Sequence, residues 1–233
     1  MMKCIVNVSC GGWFPKGQDR LTNSLIKYAP DIHRVFYRDV FPSDCPSHAE
    51  HPYAFKPFAI KEAYSLGYDI VLWADASIYA IDNIELVLEF IEEHGYLFFA
   101  NSYIGYFSSD RCLQHFGISR EEAFSMREIM GCCFGLNLKN ETTRKFLDLL
   151  YSKSTDGETF VGPWNNDNKE ASIDDRVKGH RHDQTVASLI AHQLCMTNFI
   201  EPHKTFMCYK SQISYYYPNN DIPSTICLLN EGM

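Results

Sequence analysis

The stretch Tyr68-Asp69-Ile70-Val71-Leu72-Trp73-Ala74-Asp75-Ala76-Ser77 decides the fold. Its centre, Ile70 to Ala74, is apolar without a break, and a carboxylate and a hydroxyl follow at once. So short a continuous apolar run reads as a strand buried on both faces, although periodicity alone leaves a buried helix open. Gly67 ahead of it and the polar residues behind it favour the strand. In an open α/β sheet, ligands bind beyond the carboxyl ends of the strands, where Asp75 and Ser77 fall. Extended spacing turns those two side chains the same way. Two oxygen ligands so placed suit a hard divalent cation, which in turn holds phosphate oxygens. Taken alone, Asp-x-Ser at a strand end is more often an ordinary turn or helix cap than a metal site.

Upstream, Lys3 to Ser9 reads as a first strand, followed by the loop Cys10-Gly11-Gly12-Trp13-Phe14-Pro15-Lys16-Gly17 and a helix from about Gln18 to Tyr28. Strand, glycine-rich loop and helix open a nucleotide-binding α/β unit, though this loop is neither GxGxxG nor a P-loop. It offers backbone close to a ligand at Gly11, an aromatic face at Trp13 or Phe14, and cations at Lys16 and Arg20. The alternative is that Trp13 and Phe14 cover the edge of the core. Ile32 to Tyr37 form a second strand with Arg38 and Asp39 at its carboxyl end. The Pro-, Ser- and His-containing connection from Phe41 to Pro52 has no metal-like spacing, and His48 and His51 read as solvated. Pro57 suits the first turn of the next helix and Gly67 its end. Lys56 then sits near a helix N-terminus, where free N–H groups favour an anion. Its other reading is a solvated surface lysine.

Downstream, Asp82 is a candidate cap with Glu85 as its reciprocal partner. Ile84, Val87, Leu88 and Ile91 give that helix one apolar face. Tyr96 to Asn101 reads as a strand, and Ser119-Arg120-Glu121-Glu122 as a capping box. Ile129 to Asn137 is a strand of small and apolar residues, after which Asn140 caps a helix that buries Phe146 and Leu150. Cys132 and Cys133 read as buried, inert thiols rather than nucleophiles. Residues 152–179 are polar without clear periodicity, which marks a mobile lid or an acceptor-contacting loop. Then Gly179-His180-Arg181-His182-Asp183-Gln184 opens a helix running to Leu194. Asp183 and Gln184 lie in its first turn, where the helix dipole favours a carboxylate, and Arg181 supplies a cation beside it. His180 and His182 resemble a zinc pair, but no third and fourth ligands follow at zinc spacing. Near the end, Tyr215 to Asp221 reads as a strand and a turn.

Composition narrows the class. The 233 residues suit one domain, and a net charge of −8 argues against a general nucleic-acid binder. Nine cysteines, an odd number without a paired CxxC framework, read as a reduced, cytoplasmic protein. The apolar run at Ile5 is too short for a signal peptide, and nothing reaches the roughly 18 apolar residues of a membrane span. No membrane anchor is therefore expected in the chain.

The Trp73-Ala74-Asp75-Ala76-Ser77 turn resembles the DxD segment of GT-A-fold glycosyltransferases, with Ser77 in place of the second Asp. Arg181-His182-Asp183-Gln184 on a helix resembles the Asp-Gln motif of the same family. Their order with the first loop, the Lys56 helix and the small-residue strand is also similar to compact bacterial and large-DNA-virus glycosyltransferases, which would place a viral chain in the host cytoplasm. The resemblance implies one GT-A-like (Rossmann-like) domain over 1–233, with a mixed, mostly parallel sheet flanked by helices. It implies transfer of a sugar from a nucleoside diphosphate-sugar, uridine expected, to a hydroxyl of a glycan acceptor. It implies Asp183, Gln184 and Lys56 at the reaction centre. It implies Gly11, Trp13, Lys16, Arg20, Arg38, Asp75, Ala76, Ser77, Arg181 and Lys204 around the donor. It implies Mn²⁺ or Mg²⁺ on Asp75, Ser77 and His203. A sugar-phosphate nucleotidyltransferase and a non-catalytic binding module with a decayed metal site are the rival readings.

Overall fold

A computed structural model describes residues 1–232. The chain opens with β1 (Lys3–Ser9), α1 (Phe14–Tyr28), β2 (His33–Arg38), α2 (Phe55–Ser65) and β3 (Ile70–Ala74). It continues through β4 (Ile78–Ala80), α3 (Glu85–His94), β5 (Tyr96–Tyr103), α4 (Asp110–Phe116) and α5 (Arg120–Ser125). The rest comprises β6 (Arg127–Asn137), α6 (Glu141–Lys153), α7 (His182–Gln193), β7 (Phe199–Ile200), β8 (Phe206–Tyr209), α8 (Ile213–Tyr216) and β9 (Ile226–Asn230). Six strands form one sheet in the order β2-β1-β3-β6-β5-β7, and β4-β9-β8 form a second. In the large sheet only β6 runs against its neighbours. This is the mixed, mostly parallel sheet flanked by helices that the sequence leads one to expect.

All five residues of β3 are buried, as the apolar run requires. Period-2 alternation divides them between two cores. Val71 and Trp73 join Val6, Phe98, Phe134 and Ile190 under α2, α6 and α7. Ile70, Leu72 and Ala74 join Ile5, Leu21, Leu25 and Val87 under α1 and α3. Because β6 is antiparallel, its beginning lies beside the carboxyl end of β3: Ala74 pairs with Cys133, and Asp75 N–H donates to Cys132 O at 2.8 Å. The fold thus brings the acidic turn and Gly131 together.

Four local expectations are corrected. Helix α1 begins at Phe14, not Gln18, because Gly11 and Gly12 turn the chain at φ +68° and +55° and Pro15 sits in the first turn. Asp82 does not cap α3: its Oδ1 accepts from Asn83 N–H, and Asn83 Oδ1 accepts from Glu85 N–H instead. Residues Ile213 to Tyr216 are a short helix, not a strand. His51 is half-buried with its Nδ1 3.1 Å from Ser154 O, which a solvated reading misses. The capping box at Ser119 and the Asn140 cap are both present.

Candidate functional site

The site is built on the carboxyl ends of β1 and β3 and the first strand turns of β6. Beneath it lies a buried polar tie. Asn7 Nδ2 donates to Ala74 O at 2.6 Å, and Gln18 Nε2 donates to Asn7 Oδ1 at 2.8 Å and to Tyr37 O at 2.9 Å. Each buried donor here has a partner, so the ends of three strands and α1 are held in one frame. Helix α1 also runs close under the acidic turn: a Cβ on Gly17 would stand 2.3 Å from Ala76 O.

Lys56 is the centre of the charge arrangement. Its side chain does not reach solvent but turns inward, and the residue is 4% exposed. Nζ donates to Gly131 O at 2.7 Å and lies 2.9 Å from Asp183 Oδ2 and 3.3 Å from Asp75 Oδ1. Burial pulls the ammonium's pKa down, but the charges of Asp183 and Asp75 outweigh it and hold the pKa above the usual lysine value. At Asp75 the balance goes the other way. Burial raises its carboxyl above the usual range despite Lys56, and Asp183 adds to the rise. Asp75 Oδ1 also accepts from Trp73 Nε1 at 2.8 Å.

Asp183 and Gln184 do open α7, as the spacing indicates. Gln184 Oε1 accepts from Gly131 N–H at 3.0 Å, so Gly131 is gripped from both its polar groups. A side chain would be crowded there: a Cβ would meet Asp183 Oδ2 at 3.1 Å and Gln184 Cβ at 3.2 Å, so these neighbours would have to give by a few tenths of an ångström. Arg181 lies 3.9 Å above the Trp164 ring and donates through Nη1 to Trp164 O. His182 stacks between Trp164 and Tyr53. Its φ of +44° and the +62° of Tyr53 are left-handed for residues with side chains, a strain that persists only where the surrounding structure holds the backbone.

Next to Lys56 is a cavity of about 430 Å³, lined by Trp13, Phe14, Tyr53, Asp75, Ala76 and Ser77 among others. Trp13 and Phe14 stack with centroids 4.6 Å apart. The cavity also receives His48, which reads from sequence as solvated. Residues 152–179 reach this region through Trp164, and Asn166 holds their turn with hydrogen bonds to Ala171, Ser172 and Val177.

The other expected donor residues lie elsewhere. Arg20 clamps the acidic turn from outside, donating to Ser77 O, Glu231 O and Glu231 Oε2. Arg38 is exposed and paired with Asp19. Lys16 and Lys204 are exposed, and neither lines the cavity. Gly11 N–H donates to Asp39 Oδ1 at 3.4 Å. His203 packs on Tyr216 and sets Nδ1 3.2 Å from Cys208 Sγ. Among the described residues no three His, Cys, Asp or Glu side chains gather as a metal-ligand set. With His203 engaged there and Asp75 Oδ1 bonded to Trp73 and facing the Lys56 ammonium, this donor set does not fit a resident divalent ion. No step is derived through one.

The zinc alternative at His180 and His182 fails on the same kind of ground. His180 Nε2 meets Thr159 O at 2.9 Å while Nδ1 accepts from Ser109 N–H, and His182 Nδ1 meets Phe160 O at 2.8 Å. Burial drops the His180 pKa to about 3, so the ring is neutral. The Cys132 thiol is pushed up to about 12 by burial, which fits the inert reading.

One titratable residue was not anticipated. Glu128 stands at the start of β6 with no exposed surface, under Asn101 and Gln184, and burial pushes its carboxyl up to about 8. A lone acid leading into the apolar strand Ile129 to Asn137 was the available signal. Folded Glu128 keeps its proton to about pH 8, whereas an ordinary glutamate loses it near 4.5. In that window the native state binds more protons than the unfolded one, so stability falls as pH rises. Its contribution is complete below 4.5 and is lost by about pH 8. Glu128→Gln does not titrate, and its stability gain over the wild type should therefore grow from pH 5 to pH 8, by an order of a few kcal/mol. Denaturant melts at both pH values check this.

No protein-family model matches the sequence, and no curated protein sequence matches it either. Solved structures do. Apo mouse xyloside xylosyltransferase 1 superposes with a TM-score of 0.54 at 9% identity, over 98% of this chain and 97% of that one. Galactosyltransferase LgtC, solved with donor and acceptor sugar analogues, gives 0.51 at 9% identity, over 100% and 87%. A glycosyltransferase involved in glycosylation of the major capsid of PBCV-1 gives 0.51 at 10% identity, over 97% and 93%. The fold is the GT-A glycosyltransferase fold. Within that GT-A frame, Asp75, Lys56, Gly131 and Asp183 form one contiguous polar cluster, whereas His203, Lys204 and Arg38 stand outside it. No helix among the described residues is long and apolar enough to cross a membrane.

Proposed function

We propose that this chain transfers a sugar from a nucleoside diphosphate-sugar, with a UDP-sugar as the first candidate, to a hydroxyl of a glycan acceptor. The observation that carries this reading is the buried Lys56 ammonium, set between two carboxylates at the wall of an aromatic cavity. In the reaction the bond from the anomeric carbon to the diphosphate oxygen breaks. A bond to the acceptor oxygen forms, and the acceptor hydroxyl gives up its proton. Negative charge develops on the leaving diphosphate. A cation already in place, in a site poor in water, stabilises that charge without reorganising. Lys56 fills this role. Trp13 and Phe14 take the base. Asp183 accepts the acceptor's proton, a contribution that is commonly 10²–10⁴-fold. Residues 152–179, through Trp164, contact the acceptor.

His203 does not line the cavity that Asp75 and Ser77 line, which favours one rival, a module that binds nucleotide-sugars without turnover. Thermal stability against a panel of nucleoside diphosphates, with and without Mn²⁺, is the test of the donor pocket. UDP at about 100 times its dissociation constant should add about 2.7 kcal/mol. Trp13→Ala, which removes part of the aromatic face that takes the base, should reduce the shift. No shift with any nucleoside diphosphate would end both the transfer reading and its rival.

A further inference from the structure

Among the described residues that line the aromatic cavity, Lys56 is the only lysine or arginine and Asp75 the only acid. The two carboxylates that share the Lys56 ammonium are not equivalent. Asp183 Oδ2 stands 2.9 Å from Nζ, its side chain is 10% exposed, and it does not line the cavity. Asp75 Oδ1 stands 3.3 Å from Nζ, its side chain is 33% exposed, and it does line the cavity. Asp183 is therefore the tighter counter-ion, and Asp75 is the looser one on the cavity side.

A nucleoside diphosphate entering this cavity meets a conflict. Its phosphates are drawn to Lys56 and repelled by Asp75, and juxtaposed like charges oppose binding strongly. Either a divalent ion bridges the two anions, or Asp75 gives way. The residues present speak against the first. A cation on Asp75 Oδ1 would stand beside the Lys56 ammonium, on an oxygen that already accepts from Trp73 Nε1 at 2.8 Å. Ser77 offers a hydroxyl where a second carboxylate would be the stronger ligand for a hard ion. The second way is open. The acidic turn is held through its backbone, with Asp75 N–H on Cys132 O, so the side chain can turn without undoing it. Lys56 keeps its place when Asp75 leaves, because Gly131 O and Asp183 still hold it.

We propose that Asp75 stands in for the donor's diphosphate on Lys56 in the ligand-free chain, and that donor binding exchanges one anion for the other without a divalent ion. The inference rests on the reading of Lys56 as the cation for the leaving diphosphate. Asp75 is then a built-in competitor and not a metal ligand. It neutralises the lysine while the cavity is empty, and a ligand must displace it to reach the ammonium. The affinity measured for a diphosphate is reduced by the fraction of chains in which Asp75 has not yet yielded.

The test is calorimetric titration of the full chain, as wild type and as Asp75→Asn, with UDP and with inorganic pyrophosphate, each in EDTA and in Mn²⁺. The asparagine keeps the size of the side chain and an oxygen for Trp73 Nε1, but carries no charge. The wild type should bind UDP with the same affinity in EDTA and in Mn²⁺, within about twofold, and in EDTA Asp75→Asn should bind both probes about tenfold tighter. Equal or weaker binding by Asp75→Asn in EDTA overturns the proposal. So does a wild-type affinity that Mn²⁺ raises about tenfold, the behaviour of a metal ligand set. Should Asp75→Asn not fold, the wild-type titrations in EDTA and Mn²⁺ decide. UDP binding that is indifferent to the substitution ends the exchange and leaves the transfer reading standing. Pyrophosphate binding that tightens in Asp75→Asn, with no UDP binding by either chain, supports the exchange and ends the transfer reading. No binding of either probe by either chain ends both.

Discussion

Lys56→Ala should destabilise the chain by roughly 3–5 kcal/mol and abolish sugar transfer. The figure is that for removing one partner of a buried ion pair, which leaves charge uncompensated in a site short of water. Here the loss strands Asp183, whose side chain is 10% exposed, against Asp75, whose side chain is 33% exposed. It also leaves Gly131 O without its donor. Lys56→Ala combined with Asp183→Asn should recover part of the stability, because one of the two facing carboxylates is then neutral, but it should recover no activity. Denaturant melts of the single and double variants measure this coupling. Stability within about 0.5 kcal/mol of the wild type for Lys56→Ala would mean that the ammonium is not buried as described.

Asp183→Asn is the second large effect, and it separates chemistry from binding. The substitution keeps the shape of the first turn of α7 and leaves Lys56 paired with Asp75. Donor binding should therefore survive, seen as a UDP-dependent thermal shift close to that of the wild type. Turnover should fall by about 10²–10⁴-fold, the usual contribution of a positioned base. If the variant instead lost UDP binding and kept turnover in proportion to bound donor, Asp183 would be a donor contact and not the base.

Much of the frame was legible in the sequence because it is written in consecutive residues. Ile70 to Ala74 needs no partner information to read as a strand buried on both faces. The Ser119 and Asn140 caps are local hydrogen bonds between residues three apart. Asp75 and Asp183 were legible for a similar reason, each marking the end or the start of an element. What stayed hidden depends on long-range placement. The Lys56 sequence context speaks only of a helix N-terminus, whereas its partners come from β3, β6 and α7. Gln184 was expected to face the reacting sugar, but its amide oxygen is spent on Gly131 N–H. Arg20 was a cation one turn beyond a glycine-rich loop, and only the tertiary fold shows that it holds the Ser77 and Glu231 carbonyls. Asn7 and Glu128 carried a signal that could have been read. Each is a polar residue inside or beside an apolar strand, and such residues are tolerated only with partners.

The measurement that bears most directly on the central claim is UDP release from a panel of UDP-sugars without acceptor, comparing the wild type with Asp183→Asn. The account predicts slow release from at least one donor by the wild type, and a loss of about 10²-fold or more in the variant. Bound UDP with no release from any donor would contradict it and leave a nucleotide-sugar-binding module in the place of an enzyme.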